Sequence, residues 1–118
     1  MPKITTDNRL VTLINVFTVE PANQPHVVDL LVEATDDVMK NLPGFISASI
    51  HASEDGTRVT NYAQWRSRED FEAMLKEPKA QEHMKSIAEI AELDAHLYEV
   101  VEAVEVGNPG RFRKRAGT

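Results

Sequence analysis

The stretch FISASIHASEDGTRVTNYAQWRS, Phe45 to Ser67, decides the fold. Two runs of alternating character, FISASIHAS and TRVTNYAQWRS, are joined by Glu54-Asp55-Gly56. Asp-Gly between alternating runs marks a tight β-hairpin, because glycine takes a positive φ without a Cβ clash. In the second run, strand periodicity puts Val59, Asn61, Ala63 and Trp65 on one face. Thr60, Tyr62, Gln64 and Arg66 fall on the other. The first face is apolar apart from a single amide. In the first run, His51 shares a face with Ser47 and Ser49, opposite Ile46, Ala48 and Ile50.

On the N-terminal side, residues 10–19 (LVTLINVFTV) are β-branched and apolar, as in a strand with little exposed surface. The register Val11, Leu13, Asn15, Phe17, Val19 again centres one asparagine among apolar neighbours. PANQP breaks the chain, with Asn23 as a candidate helix cap and Pro25 in the first turn. From His26 to Asn41, Val27, Leu31, Ala34 and Val38 recur at helical spacing until Pro43-Gly44.

On the C-terminal side, Ser67 followed by Asp70 reads as a capping box opening a second helix. Pro78 interrupts that helix and restarts it. Ala80, Met84, Ile87 and Ala91 then carry an apolar stripe toward Leu93, and a last strand is expected from about His96 to Val106. The order β-α-β-β-α-β, with singly amphipathic helices, predicts a two-layer α+β domain of ferredoxin-like type. Strands one and three are neighbours in that arrangement, so Asn15 and Asn61 face the same space between sheet and helices. Ile14, Val16, Tyr98 and Val100 make the opposite sheet face too apolar for water. A homodimer packed sheet against sheet is the expected cover.

The 118 residues suit one domain. Residues 1–9 read as an N-terminal extension, 10–106 as the domain and 107–118 as a basic flexible tail. With four of the thirteen basic residues in the last eight positions, the body carries nine against nineteen acids, which disfavours phosphate backbones and hence nucleic acid. No apolar run approaches the roughly 20 residues of a membrane span. MPKITTDNR lacks the apolar segment of a signal peptide, and the chain has no cysteine, so a cytoplasmic protein without disulfides is expected. Five glycines scattered at turns form no phosphate loop.

An amide buried without partners costs on the order of 1–3 kcal/mol. Asn15 and Asn61 therefore either satisfy each other or a loop carbonyl, or line a ligand cavity. Trp65, on the face of Asn61, would add an aromatic wall and an indole donor. Of the four histidines, His51 and His83 are candidate bases, and no two stand at a metal-ligand spacing.

HASEDGTRVTNYAQWRS (His51–Ser67), with PGFISAS (Pro43–Ser49) ahead of it, resembles the antibiotic biosynthesis monooxygenase family, and the likeness covers about residues 10–104. The resemblance implies a dimeric α+β barrel with a cavity in each subunit. It also implies oxidation of an anthrone, phenolic polyketide or quinol to a quinone, with molecular oxygen as co-substrate and neither metal nor organic cofactor. The family's asparagine and tryptophan fall on Asn61 and Trp65, and its histidine on His51; these are the catalytic residues implied, with His83 added as base. Asn15, Phe17, Phe71 and Met84 are the substrate-binding residues expected beside them. A family tyrosine proposed to transfer a proton falls on Phe71, which has no proton to give, and a helical arginine lands near Met84 or Lys85. A different substrate, a different base, or a non-catalytic dimeric ligand-binding module are the alternatives. Haem-degrading relatives are a further one, since Asn15 matches their strand-one asparagine while Met74 stands near their tryptophan.

Overall fold

A computed structural model describes residues 10–104, 106 and 111–113 of the chain. Strand β1 (Val11–Val19) leads through a 3-10 turn into helix α1 (Gln24–Asp37). A second 3-10 turn (Met39–Asn41) precedes the hairpin β2 (Phe45–Ala52) and β3 (Arg58–Trp65). Helices α2 (Arg68–Leu75) and α3 (Pro78–Ala88) then lead to β4 (Ala91–Tyr98). The antiparallel sheet has the order β2-β3-β1-β4, which is the ferredoxin-like arrangement.

The hairpin turns at Gly56, whose φ of 81° suits glycine. Asp55 Oδ1 accepts hydrogen bonds from the Thr57 hydroxyl (2.6 Å), the Thr57 N–H (3.0 Å) and the Ser53 hydroxyl (2.8 Å). Those bonds, the Thr57 hydroxyl first, bring the Asp55 carboxyl down to about 2. Gln24 Nε2 donates to the carbonyls of Ser53 and Arg58, each at 2.9 Å, and ties the start of α1 to the hairpin. At the start of α2, the Asp70 N–H donates to Ser67 Oγ (3.1 Å) while the Ser67 hydroxyl donates to Asp70 Oδ2 (2.9 Å). The Ser67 cap expected from the sequence is thus present, with Asp70 bound by the Ser67 hydroxyl rather than by its N–H.

Val27, Leu31 and Ala34 of α1 are buried, as are Ala80 and Ile87 of α3, so each helix lays one stripe on the sheet. The core falls into two clusters. One gathers Leu13, Ala63, Trp65, Phe71 and Met74; the other gathers Phe17, Leu31, Val59 and Ile87.

Four expectations are corrected. The last strand of the four-stranded sheet begins at Ala91 and ends at Tyr98, so Leu93 belongs to β4 and Val100 lies beyond it. Ala91, Leu93, Ala95 and Leu97 pair across to the inward positions of β1 and form the inner face of this edge strand. The first helix ends at Asp37, where Val38 (φ −122°, ψ −64°) leaves helical geometry ahead of the second 3-10 turn. A bulge between Phe45 and Ser47 shifts the register, leaving Phe45 opposite Trp65 and Ile46 45% exposed. Within the expected tail, Arg111–Arg113 form strand β6, antiparallel to β5 (Glu102–Val104). The rest of that tail and the 1–9 extension lie outside the described residues.

Candidate active site

Strands β1 and β3 pair so that Asn15 stands directly opposite Asn61, with Leu13 opposite Ala63 and Phe17 opposite Val59. The two asparagines therefore sit side by side on the helix-facing surface, between the two core clusters. A cavity of about 260 Å³ occupies the gap. Small-molecule sites run from roughly 300 Å³ upward, so this one is compact. Asn15 is 5% exposed, and the Oδ1 atoms of both asparagines are buried without a hydrogen-bond partner among the described residues. Such groups are rare because desolvation without a bond costs on the order of 1–3 kcal/mol each. Both residues line the cavity, so a ligand there lies against two asparagine side chains in an otherwise apolar space, although neither Oδ1 is itself exposed to it.

Trp65, 1% exposed, forms one wall. Edge-to-face contacts hold its ring between Phe45 (centroids 5.3 Å apart) and Phe71 (6.3 Å). Phe17, Phe71 and Met84 also line the cavity. Six of the expected site residues, Asn15, Phe17, Asn61, Trp65, Phe71 and Met84, thus share one space. Phe71 follows the residue that anchors α2. Arg66 donates to Asp70 through Nε (2.8 Å) and Nη2 (3.1 Å), and the Arg66 N–H donates to the Gly44 carbonyl (2.7 Å). The Arg66 hydrogen bond, with that of Ser67, holds the Asp70 carboxyl below its ordinary value.

The two histidines are placed elsewhere. His51 is exposed on the opposite face of the sheet, with its Nε2 2.9 Å from Ser49 Oγ. His83 faces a polar groove between α1 and α3, beside Glu33, Asp37 and Lys79. Neither lines the cavity. Among the described residues, no side chain of the lining is titratable at all. Of the eighteen described lining residues, twelve were not expected as site residues. Among them, Phe45 was hidden by the bulge. The cavity opens beside the edge strand, where Leu75 (49% exposed) and Leu93 (38%) are both lining and solvent-facing.

Among the described residues, no helix is long and apolar enough to cross a membrane. No group of three or more His, Asp or Glu side chains among them is arranged to hold a metal ion.

Comparison with known proteins agrees with this fold. The family model described as antibiotic biosynthesis monooxygenase matches residues 10–86. Tetracenomycin-F1 monooxygenase of Streptomyces glaucescens is 48% identical over 83 residues, which span 70% of this chain and 74% of that protein. The monooxygenase from the ActVA-Orf6 gene of Streptomyces coelicolor, solved in complex with nanaomycin D, superposes with a TM-score of 0.75. It is 29% identical, over 84% of this chain and 95% of that one. SnoaB, a cofactor-independent oxygenase from Streptomyces nogalater, shares the fold with a TM-score of 0.68 at 21% identity, over 85% of this chain and 99% of its own. With a family match over most of its length and a relative at nearly half identity, this chain belongs to the antibiotic biosynthesis monooxygenase family.

Proposed function

We propose that this monooxygenase uses molecular oxygen to oxidise a hydroxylated, electron-rich polycyclic aromatic to a quinone, with neither metal nor organic cofactor. The observation that carries the reading is the pair of orphaned amide oxygens, Asn15 and Asn61, in an otherwise apolar cavity walled by Trp65. A flat aromatic fills such a space and brings its oxygen substituents beside the two asparagine side chains. The naming of the relative for a tetracenomycin and the nanaomycin bound to the structural neighbour support a fused-ring substrate.

Triplet oxygen reacts slowly with closed-shell organics, but an aromatic anion is its own reductant. In an anthrone, the CH₂ across the central ring from the carbonyl loses a proton, and the resulting anion passes one electron to oxygen. Radical and superoxide then combine into a C–O bond. The resulting hydroperoxide, still carrying one hydrogen on that carbon, loses water to leave the new carbonyl. One oxygen atom enters the product and the other leaves as water. The Asn15 and Asn61 side chains and Trp65 hold the ring and stabilise charge as it develops on the substrate oxygens, in a space that excludes bulk water. The lining supplies no base, so the anion is formed by solvent at the open end or by the substrate's own phenolate.

The test is oxygen uptake by chelator-treated protein supplied with anthrone or a dihydroxynaphthalene. Uptake that falls by an order of magnitude or more in a doubly substituted Asn61→Ala, Trp65→Phe protein supports the assignment. Turnover unchanged in that folded variant places the site elsewhere.

A further inference from the structure

Three of the chain's four methionines, Met39, Met74 and Met84, line the one cavity that holds the asparagine pair. They arrive from separate elements: the 3-10 turn after α1, α2 and α3. Met74 is 7% exposed and packs in the core cluster of Trp65 and Phe71. Nothing in their packing requires sulfur, since leucine fills comparable space and methionine swaps for it readily in cores. What a thioether adds is chemistry: it is a two-electron reductant, and among the described residues the lining holds no other sulfur.

We propose that Met39, Met74 and Met84 are oxygen-atom acceptors for a substrate hydroperoxide that stalls in the cavity, and that the sulfoxides they form close the site. The inference rests on the oxygen chemistry proposed above. A hydroperoxide that fails to lose water presents its terminal oxygen to the helix-side wall. The sulfur lone pair attacks that oxygen, the S–O bond forms and the O–O bond breaks. The inner oxygen takes the electron pair of the broken bond and the proton that the terminal oxygen gives up, and remains on the substrate as an alcohol. Sulfur is oxidised by two electrons and the peroxide is reduced by two, so no further reagent is needed. A sulfoxide is polar and chiral, and it places a strong acceptor in the apolar half of the cavity, which weakens aromatic binding. Methionine sulfoxide reductases reverse the change.

Two arms test this on the full chain. In the first, anthrone is turned over in air with catalase present while oxygen uptake is followed. Uptake should decline as turnovers accumulate, with single oxygen atoms appearing by peptide mass mapping at Met39, Met74 or Met84. Treatment with sulfoxide reductases should restore the rate, and the Met39→Leu, Met74→Leu, Met84→Leu protein should decline more slowly relative to its own initial rate. Decline without oxygen at these sulfurs, or oxidation abolished by catalase, would overturn the proposal. The second arm needs no turnover. Cumene hydroperoxide, an aromatic hydroperoxide, should oxidise these methionines several-fold faster than equimolar hydrogen peroxide, and anthraquinone should protect them. Equal rates without protection overturn the thioether assignment. Absence of oxygen uptake in the first arm alone counts against the proposed function instead, and the second arm then decides the methionines by itself.

Discussion

Asn15 and Asn61 are register partners across β1 and β3, and the apolar core divides at that pair. Along β1, Leu13 belongs to one cluster and Phe17 to the other; along β3, Ala63 and Val59 divide the same way. The two amides mark the point at which the core gives way to a cavity. A protein optimised for stability alone would close that gap with aliphatic side chains.

The first prediction follows from this relationship. Replacing both residues, Asn15→Leu with Asn61→Leu, removes two buried acceptors that lack partners. Each such acceptor costs about 1–3 kcal/mol, so the ligand-free variant should melt several degrees higher than the parent. Its oxygen uptake should fall by more than an order of magnitude. Thermal unfolding beside an oxygen electrode reads both effects. A lower melting temperature would mean that the amides are satisfied in solution.

A second prediction concerns pH. With no titratable group among the described residues of the lining, the acid limb of kcat/KM should follow the ionisation of the substrate rather than of the enzyme. Rates should rise with pH up to the substrate's own pKa and then level, and a more acidic substrate should move the limb to lower pH by the difference in pKa. His83→Gln should leave the curve in place, because His83 faces the groove between α1 and α3. A limb that stays fixed while the substrate pKa changes would place a protein base within reach of the ligand.

Much of this site was legible because period-two patterning fixes which strand residues share a face. Asn15, Phe17, Asn61 and Trp65 were assigned to one face from the sequence, and the pairing register then set the asparagines opposite each other. The bulge was not legible. An inserted residue exchanges the faces within two positions, and nothing in FISAS marks it, so Phe45 was missed as the ring edge-on to Trp65. The start of β4 was missed because α3 ends at Ala88 without glycine or proline, and Ile87 and Ala91 stand four apart as in a continuing helix. His83 illustrates a different limit. It lies between the buried Ala80 and Ile87 on the apolar side of α3, yet a stripe of that width meets both the sheet and α1. Only packing decides which of the two a flank residue faces.

The third prediction tests the corner that positions Phe71. Gly44 has a φ of 83°, and a Cβ there would collide with the Asp70 side chain. Gly44→Ala should therefore cost at least the roughly 1–2 kcal/mol of a left-handed residue, together with the displaced Arg66–Asp70 pair. Oxygen uptake should fall as well, because Phe71 follows Asp70 in the first turns of α2. A melting temperature unchanged by Gly44→Ala would mean that the loop rearranges freely.

The fourth prediction is the acid limb of stability. Asp55 is held at about 2 against an ordinary 3.8, and Asp70 is also lowered. A depressed carboxylate stabilises the fold above its unfolded pKa and loses that contribution as pH falls through its folded pKa. The loss from Asp55 should thus fall between about pH 3.8 and 2. Asp55→Asn should flatten this part of a melting-temperature profile while leaving the slope above pH 5 as it was. An unchanged profile below pH 4 would show that the turn's bonds to Asp55 are absent in solution.

The last prediction concerns the sheet face turned away from the helices. Ile14, Val16 and Tyr62 are only half-buried there, while Thr12 and Gln64 beside them are buried, with Gln64 Nε2 donating to Thr12 Oγ1 at 3.1 Å. Packing this face on its counterpart in a second copy would cover the apolar side chains and leave both cavities outside the interface. Tyr62 stands on the inner strand β3, between Ile14 of β1 and Ser49 of β2, so a carboxylate there has no acidic residue as a direct cross-strand neighbour. Sedimentation equilibrium should give about twice 13.2 kDa for the parent chain and a single chain's mass for Tyr62→Glu. Because Tyr62 and the cavity lie on opposite faces, quenching of the lone Trp65 by an aromatic ligand should persist in the variant. A Tyr62→Glu protein that keeps the double mass would locate the contact elsewhere on the surface.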